Sequence, residues 1–432
     1  MDIYTGSIIA MHSSPSFDPN LFVFGISQDD WQLIRNDPMT PLANKTLQGN
    51  YSPGSTIKPI VALSALVIAT AVSQSFGRFT YSVLYIEIRD DFGLSNTVSG
   101  GIGSINLVGY LIGSLAVALT IGRLGLIKTV KCGVAGVVIG LILLSWAPNS
   151  LTAVLALFLT GFAAAGVWIT TPALATNILG PDRRGLAIGW VTTGVGLGFF
   201  AACIFDAVIT DWRAVYGLEA IIGIAAFGLL ALTITSSPDT PISSGLSPNN
   251  LRQVPGWLSL CMIYGLFAIG VSLSMTFSAA LLEEDAGFKE RSASLIFALI
   301  GLGLALGGPT MGWLSDRIGR NSAQLVSFAF LTISCALIAT GHPVAAPIST
   351  LLFGVAFTGV VVNVTAQVSG HLSAEAFGAA YAVLTIVFGA GLAIGPQLGG
   401  IIADSSGSVS YTHLRAHETR GNLVCRLLVE KK

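Results

Sequence analysis

Charge is scarce in this chain. Asp, Glu, Lys and Arg together make up 10% of its 432 residues, against about 25% in an ordinary soluble domain. That shortage excludes a fold bathed in water on all sides. The 21 basic and 22 acidic residues nearly cancel, so there is no cationic surplus to hold a phosphate backbone and no nucleic acid is expected as a partner. The five cysteines, Cys132, Cys203, Cys261, Cys335 and Cys425, are scattered without the spacing of a disulfide framework or a metal site; no metal and no cofactor is expected. Residues 1–50 lack a basic start followed by a short apolar core, so they do not form a secretion signal, and they are too polar to cross a membrane. The stretch from Gly49 to Thr56 has no Lys before its Ser-Thr pair and fails as a phosphate-binding loop.

What the chain has instead is apolar bulk and glycine. Hydrophobic residues make up 53%, and 50 residues are glycine; the mean hydropathy is +0.76. Small residues among apolar ones suit helices that approach closely in lipid. Composition shifts twice. Residues 1–59 are polar and turn-rich, the block from about Ile60 to Asp404 is apolar, and the end is polar and basic. Within the apolar block, runs long enough to cross roughly 30 Å of hydrocarbon as helices lie near 60–84, 98–121, 130–147, 151–176, 185–209, 214–235, 257–281, 292–314, 322–341, 344–369 and 378–402, eleven in all. If the first begins in the cytoplasm, the cytoplasmic loops hold Arg123, Lys128, Lys131, Arg183, Arg184, Arg252, Arg317 and Arg320, and the opposite loops hold Arg89, Arg213, Lys289 and Arg291. The excess supports that orientation.

The two halves of the block align with each other. At a shift of about 194 residues, Asp91, Gly93, Gly109 and Gly113 fall on Asp285, Gly287, Gly303 and Gly307, and Arg123 and Gly125 fall on Arg317 and Gly319. At 193, Gly185, Thr192, Gly196 and Gly198 fall on Gly378, Thr385, Gly389 and Gly391. Parallel duplicated halves place a substrate site between them at mid-membrane. The expected organisation is a six-helix bundle over 60–235, a Ser/Pro/Asn-rich linker over 236–256, and a second bundle over 257–407 that lacks its last helix. The fold class is therefore an all-α polytopic membrane protein of two pseudo-repeated bundles, with about eleven spans and the twelfth missing.

The loop after the eighth run reads Gly312-Trp-Leu-Ser-Asp316-Arg317-Ile-Gly319-Arg320. It resembles the G-x-x-x-D-R-x-G-R signature of the major facilitator superfamily. In that reading Gly312, Asp316, Arg317, Gly319 and Arg320 form a gating loop, the Asp capping the next helix or pairing with an Arg to latch one state. The equivalent first-half stretch keeps Arg123 and Gly125 but has Gly122 where the Asp would stand. The Gly/Pro-rich run from Gly389 to Gly400 and the Asp211-Trp212-Arg213 triplet are similar to the same superfamily, and Gly77-Arg78-Phe79-Thr80-Tyr81 resembles its YbfB/YjiJ-type branch. The resemblance implies a secondary transporter of a small solute, working by alternating access and coupled to protons. It also implies a monomer in the lipid bilayer of a bacterial inner membrane, and not an enzyme.

The flanks resemble other things. Met1 to Met11 and Ser13 to Asn20 are similar to the start of a class B penicillin-binding protein's transpeptidase domain, and Ser55-Thr56-Ile57-Lys58 matches its S-x-x-K motif. In that family Ser55 would be the nucleophile of a peptidoglycan D,D-transpeptidase and Lys58 its activator. No K-T-G follows, so the pair is expected to be vestigial and the segment an incomplete domain. Val409 to Thr419 resembles translated sequencing adapter, which disposes of a metal reading of His413 and His417 four residues apart. The 1–59 and 408–432 ends are thus expected to be foreign to the block between them.

An ionisable group inside a span is costly and each is a functional candidate. Arg78, deep in the first run, binds an anionic substrate, pairs with an acid, or is satisfied by helix carbonyls. Asp206 and Glu219 exchange a proton or are hydrated end residues. The amides Asn106, Asn177, Asn363 and Gln367 line a cavity or hold helices together, with Asn363 and Gln367 on one face of the tenth run. Tyr110, Trp168 and Tyr264 form an aromatic pocket or pack. The substrate-binding set expected from these is Arg78, Tyr110, Asn177, Asn363 and Gln367.

Overall fold

Hydrocarbon offers no hydrogen-bond partner to a bare backbone, so apolar runs of this length must satisfy themselves as helices. The computed structural model describes residues 2, 5–49, 54–94, 96–234, 248–280, 288, 290–372 and 374–406, and among them there are helices and no strand. The 236–247 part of the linker and the adapter-like 408–432 tail lie outside the described residues. The chain divides into two units, Met1–Lys58 and Pro59–Lys432.

The first unit carries α1 (Gln28–Asn36), started by Ser27, whose hydroxyl accepts from the Asp30 N–H at 3.1 Å, and α2 (Lys45–Gln48), capped by Asn44. Pro41 is buried; Ile8, Ile9, Leu33 and Phe24 are exposed, and no hydrophobic cluster includes a residue of this unit.

In the second unit the first span is α3 (Lys58–Thr70), a nine-residue π-helical stretch (Ala71–Phe79) and α4 (Thr80–Val83). Next come α5 (Tyr85–Asp91), α6 (Asn96–Ser145), α7 (Ser150–Leu179), α8 (Arg184–Val208) and α9 (Trp212–Thr233). The second half holds α10 (Pro248–Arg252), α11 (Trp257–Ala280), α12 (Glu290–Ile318), α13 (Arg320–Ile338), α14 (Ala345–His371) and α15 (Ala374–Ser406). Ten helices among the described residues are long and apolar enough to cross a membrane. The sequence gives eleven runs because α6 contains two of them. Its 50 residues break at Gly125, where φ is 76°, a backbone that glycine adopts freely. The contacts show that α6 turns back there. Gly109 and then Gly113 meet Phe158 and then Phe162 of α7, whereas Gly133 and then Gly140 meet Val167 and then Thr160. One arm runs with α7 and the other against it.

The same contacts display the duplication. Gly109 and Gly113 of α6 lie against Phe158 and Phe162 of α7; their counterparts Gly303 and Gly307 of α12 lie against Leu351 and Val355 of α14. Gly198 of α8 meets the carbonyl of Ala71, and Gly391 of α15 meets that of Gly265 in α11. Between the bundles, Gly185 and Gly189 of α8 lie on the Gly312 and Gly308 carbonyls of α12, and Gly378 and Gly389 of α15 lie on Ile121 and Leu111 of α6. Backbone-to-backbone approach of this kind supplies the dispersion contact that lipid cannot oppose.

The two ends of the helices differ. At one end Arg213 pairs with Asp91 at 2.8 Å and donates to the Ala147 carbonyl at 2.9 and 3.1 Å, tying the starts of α7 and α9 to the end of α5. The other end, formed by Gly125, the α7–α8 turn, the α12–α13 turn and the end of α14, carries the gating loop.

Candidate functional site

Three groups of polar residues stand out of the apolar interior. The first is Arg78. It follows Gln74 by four residues on the π-helical stretch and donates to its Oε1 at 3.0 Å; Gln74 in turn donates to the Ala164 carbonyl of α7 at 2.9 Å. The guanidinium lies 3.8 Å from the centre of the Tyr110 ring and 5.5 Å from that of Phe79, the geometry of a cation over an aromatic face. Its buried Nε has no hydrogen-bond partner, and it forms no ion pair among the described residues. A charge at this depth costs about 2.5–3.5 kcal/mol or more, so an unpaired one is held against a standing penalty. π-helical turns inside spans commonly mark functional sites.

Tyr110 is buried on α6, in the neighbourhood of Tyr381 of the second bundle. Tyr381 is buried, accepts from the Thr365 hydroxyl at 3.0 Å, and sits within hydrogen-bonding reach of Tyr264 and of the Trp168 indole. Tyr264 stacks on Phe388 with ring centres 4.7 Å apart. Helices of both halves, α6 and α7 from one and α11, α14 and α15 from the other, therefore meet in one aromatic cluster next to Arg78.

The second group is Glu219, fully buried on α9. Thr80 donates to its Oε1 at 2.7 Å, while Oε2 has no partner. Tyr216, one turn earlier and equally buried, has an unpartnered hydroxyl. Asp206 is half-buried near the end of α8, beside Glu87.

The third group is the gating loop. Asp316 Oδ1 accepts from the Gly185 N–H and Oδ2 from the Leu186 N–H, each at 2.9 Å. These are first-turn groups of α8, which have no partner inside their helix and sit at the positive end of its dipole. The aspartate thus caps a helix of the opposite bundle; α13, which follows it in sequence, starts at Gly319 without a side-chain cap. Arg317 lies 4.5 Å over the Trp313 ring, and the guanidinium groups of Arg320 and Arg184 both lie against Gly370. A cavity of about 600 Å³ opens beside them, with Asp182, Asp316, Arg320, Gln367 and His371 in its wall.

The expected substrate-binding residues do not all meet. Arg78 and Tyr110 are in contact. Gln367 lies at the gating end instead, and Asn177 is exposed two residues before the end of α7 at that same end. Asn363 points into the second bundle, where its amide donates to Ser327 at 3.4 Å. Sharing a helix face says nothing about depth, which changes by about 1.5 Å per residue. The Asn106 amide nitrogen is committed to helix packing: it donates to the Gly77 and Leu157 carbonyls at 2.9 Å and to Thr160 at 3.0 Å. Gln74 and Tyr381 escaped the sequence reading. Gln74 was legible as the polar residue four before Arg78; nothing in the sequence sets Tyr381 apart from packing tyrosines. Ser55 lies in a short 3-10 turn, Gly54–Ile57, and Lys58 is exposed at the start of α3.

A family described as the uncharacterised MFS-type transporter YbfB matches residues 70–428. The chain belongs to this family. Its fold is the one seen in solved major facilitator transporters. The outward-facing FucP structure, an Escherichia coli fucose:proton symporter, matches with a TM-score of 0.63 at 15% identity, over 82% of this chain and 94% of that one. The proton:xylose symporter XylE matches at 0.64 and 13%, over 83% and 91%. The human organic anion transporter MFSD10 matches at 0.64 and 16%, over 82% and 94%. The chain is accordingly a multi-pass membrane protein of transporter type. Residues 1–72 match the penicillin-binding protein transpeptidase domain. Over 65 residues the chain is 57% identical to the peptidoglycan D,D-transpeptidase MrdA of Escherichia coli K12, and it is 45% identical to PbpA of Mycolicibacterium smegmatis over a stretch of the same length. It spans about a tenth of the length of these curated relatives, 10% of MrdA and 13% of PbpA.

Proposed function

We propose that the membrane unit is a proton-coupled secondary transporter that moves a small solute by alternating access, as a monomer in a bacterial cytoplasmic membrane. The observation that carries this reading is the bond from Asp316 of one bundle to the start of α8 in the other. It is a reversible, charge-assisted link across two helices that must separate if the gating end is to open. The glycine contacts of α8 on α12 and of α15 on α6 give the two bundles smooth faces to rock on. Glu219, a buried carboxyl with one bonded and one unpartnered oxygen, supports proton coupling. So does the likeness to FucP and XylE, both described as proton symporters. The transpeptidase reading of residues 1–72 rests on their similarity to that domain, and the catalytic groups it offers are Ser55 and Lys58. Acyl transfer also needs an oxyanion hole and a supporting sheet, and the described residues of this unit hold no strand and no core.

Ser315 is buried beside Asp316, in the wall of the cavity at the gating end. In a chain with its native cysteines changed to Ser, a Ser315→Cys thiol should react slowly with a maleimide supplied at the gating end. Asp316→Ala removes two charge-assisted bonds, together about 3–6 kcal/mol, and should speed that reaction at least about tenfold. Equal rates with and without Asp316→Ala refute the gate. A fluorescent penicillin should label neither the native chain nor Ser55→Ala; labelling that depends on Ser55 would restore the enzyme reading.

A further inference from the structure

We propose that the solute is a small organic acid carried as its monoanion, with its carboxylate on Arg78 and an apolar body against the aromatic cluster. This rests on the transport reading above and goes beyond it by naming the substrate's chemistry.

Hydroxyls and amides near the bundle interface are spent on the protein's own backbone. Ser75 donates to the Val195 carbonyl at 2.6 Å, Thr193 to that of Ala305 at 3.0 Å, Gln74 to that of Ala164, and Asn106 makes its three bonds to Gly77, Leu157 and Thr160. A polyol such as a sugar would have to compete with the backbone for these groups. The buried polar atoms left unpartnered sort by depth. Arg184, Ser315 and Gln324 belong to the gating end, Trp212, Tyr216 and Glu219 to the other end, and Asn363 to the inside of the second bundle; Arg78 Nε is the one at the bundle interface.

The state of the guanidinium specifies what it lacks. Gln74 occupies Nη1, and Tyr110 covers the planar face. Nε is unpartnered, and Nη2 makes no hydrogen bond among the described residues. The Nε–Nη2 edge is the one that takes a carboxylate through two parallel bonds. The other described Lys and Arg residues of this unit lie toward the helix ends, so one positive charge is available and one negative charge is matched; a dianion would be left half-compensated and a cation repelled. Against that charge stand Phe79 and Tyr110, with Tyr264 and Tyr381 on the far side of Tyr110, surfaces suited to a hydrocarbon or aryl body.

The test uses acid and amide pairs of the same shape, 3-phenylpropionate with 3-phenylpropanamide and butyrate with butyramide, titrated against the full chain in detergent and read by tryptophan fluorescence and thermal shift. The acid of at least one pair should bind roughly tenfold or more tighter than its amide, the loss expected when a charge-assisted contact is removed. Arg78→Gln should erase the preference, and Arg78→Lys should keep part of it. Equal binding of acid and amide, no binding by either, or an acid preference that survives Arg78→Gln overturns the proposal. The Ser315→Cys labelling assay reads gating without any ligand. A moving gate with no acid preference therefore sinks this inference alone, and acid binding with a fixed gate sinks the transport reading alone.

Discussion

Thr80 donates a 2.7 Å hydrogen bond to Glu219, a residue 139 positions further along the chain. Two residues before Thr80 on the same strained span lies Arg78. The unpaired cation and the buried carboxyl are therefore attached to one segment, and the π-helical stretch that ends at Phe79 sets the rotation of both. Relaxing that stretch to an ordinary α-helix would turn Arg78 off Tyr110 and Thr80 off Glu219 together, since each register change rotates everything beyond it.

Removing the hydroxyl tests the energetics of that pairing. Thr80→Val leaves Glu219 with neither oxygen bonded and should cost about 1–3 kcal/mol, the penalty for an orphaned buried polar group. Thr80→Val with Glu219→Leu should recover most of the loss, because no buried polar atom is then stranded. Melting curves of the two single variants and the double variant close the cycle; additive losses contradict the pairing.

Glu219→Gln keeps an acceptor for Thr80 and removes the exchangeable proton. A pH difference of one unit biases a one-proton step by at most about tenfold. The labelling rate of Ser315→Cys in sealed vesicles should respond to such a gradient by up to that factor in the native background and not at all with Glu219→Gln. A gradient response unchanged by Glu219→Gln would move the coupling site elsewhere, Asp206 being the next carboxyl to examine.

The duplicated glycines predict matched damage in both halves. A Cβ at Gly109 would run into the Phe158 carbonyl, and one at Gly303 into the Leu351 carbonyl, whereas at Gly228 and Gly270 it would meet nothing within 4 Å. Gly109→Ala and Gly303→Ala should each destabilise the protein by about 1–3 kcal/mol, the cost of overpacking a close helix contact. Gly228→Ala and Gly270→Ala should be neutral or slightly stabilising. Thermal unfolding in detergent ranks the four.

Much of the fold could be read from the chain because lipid imposes few solutions. Apolar runs of the right length must be helices, and the 193–194 shift already aligned the glycines that later proved to make equivalent contacts. The run near 130–147 was separate in sequence yet joins the run before it, since a glycine at positive φ reverses the chain in a tight turn between Arg123 and Lys128. Arg78 and Glu219 were visible as charges in apolar surroundings. Asp316 was visible through its spacing, but its partner was not. It caps an N-terminus 131 residues away in the other bundle, a relation set by packing. The depth of Gln367 and Asn177 was not legible, because amphipathic pattern supplies direction around a helix and not height along it.

The most direct test measures the gating end itself. Asp182 and Ser322 are exposed, face the same cavity, and belong to opposite bundles. Spin labels at Asp182→Cys and Ser322→Cys, in a chain whose native cysteines are changed to Ser, report the separation by pulsed electron resonance. The account predicts two distance populations in lipid, with the longer one favoured by Asp316→Ala. A single distance, unchanged by Asp316→Ala and by an imposed pH gradient, would contradict it.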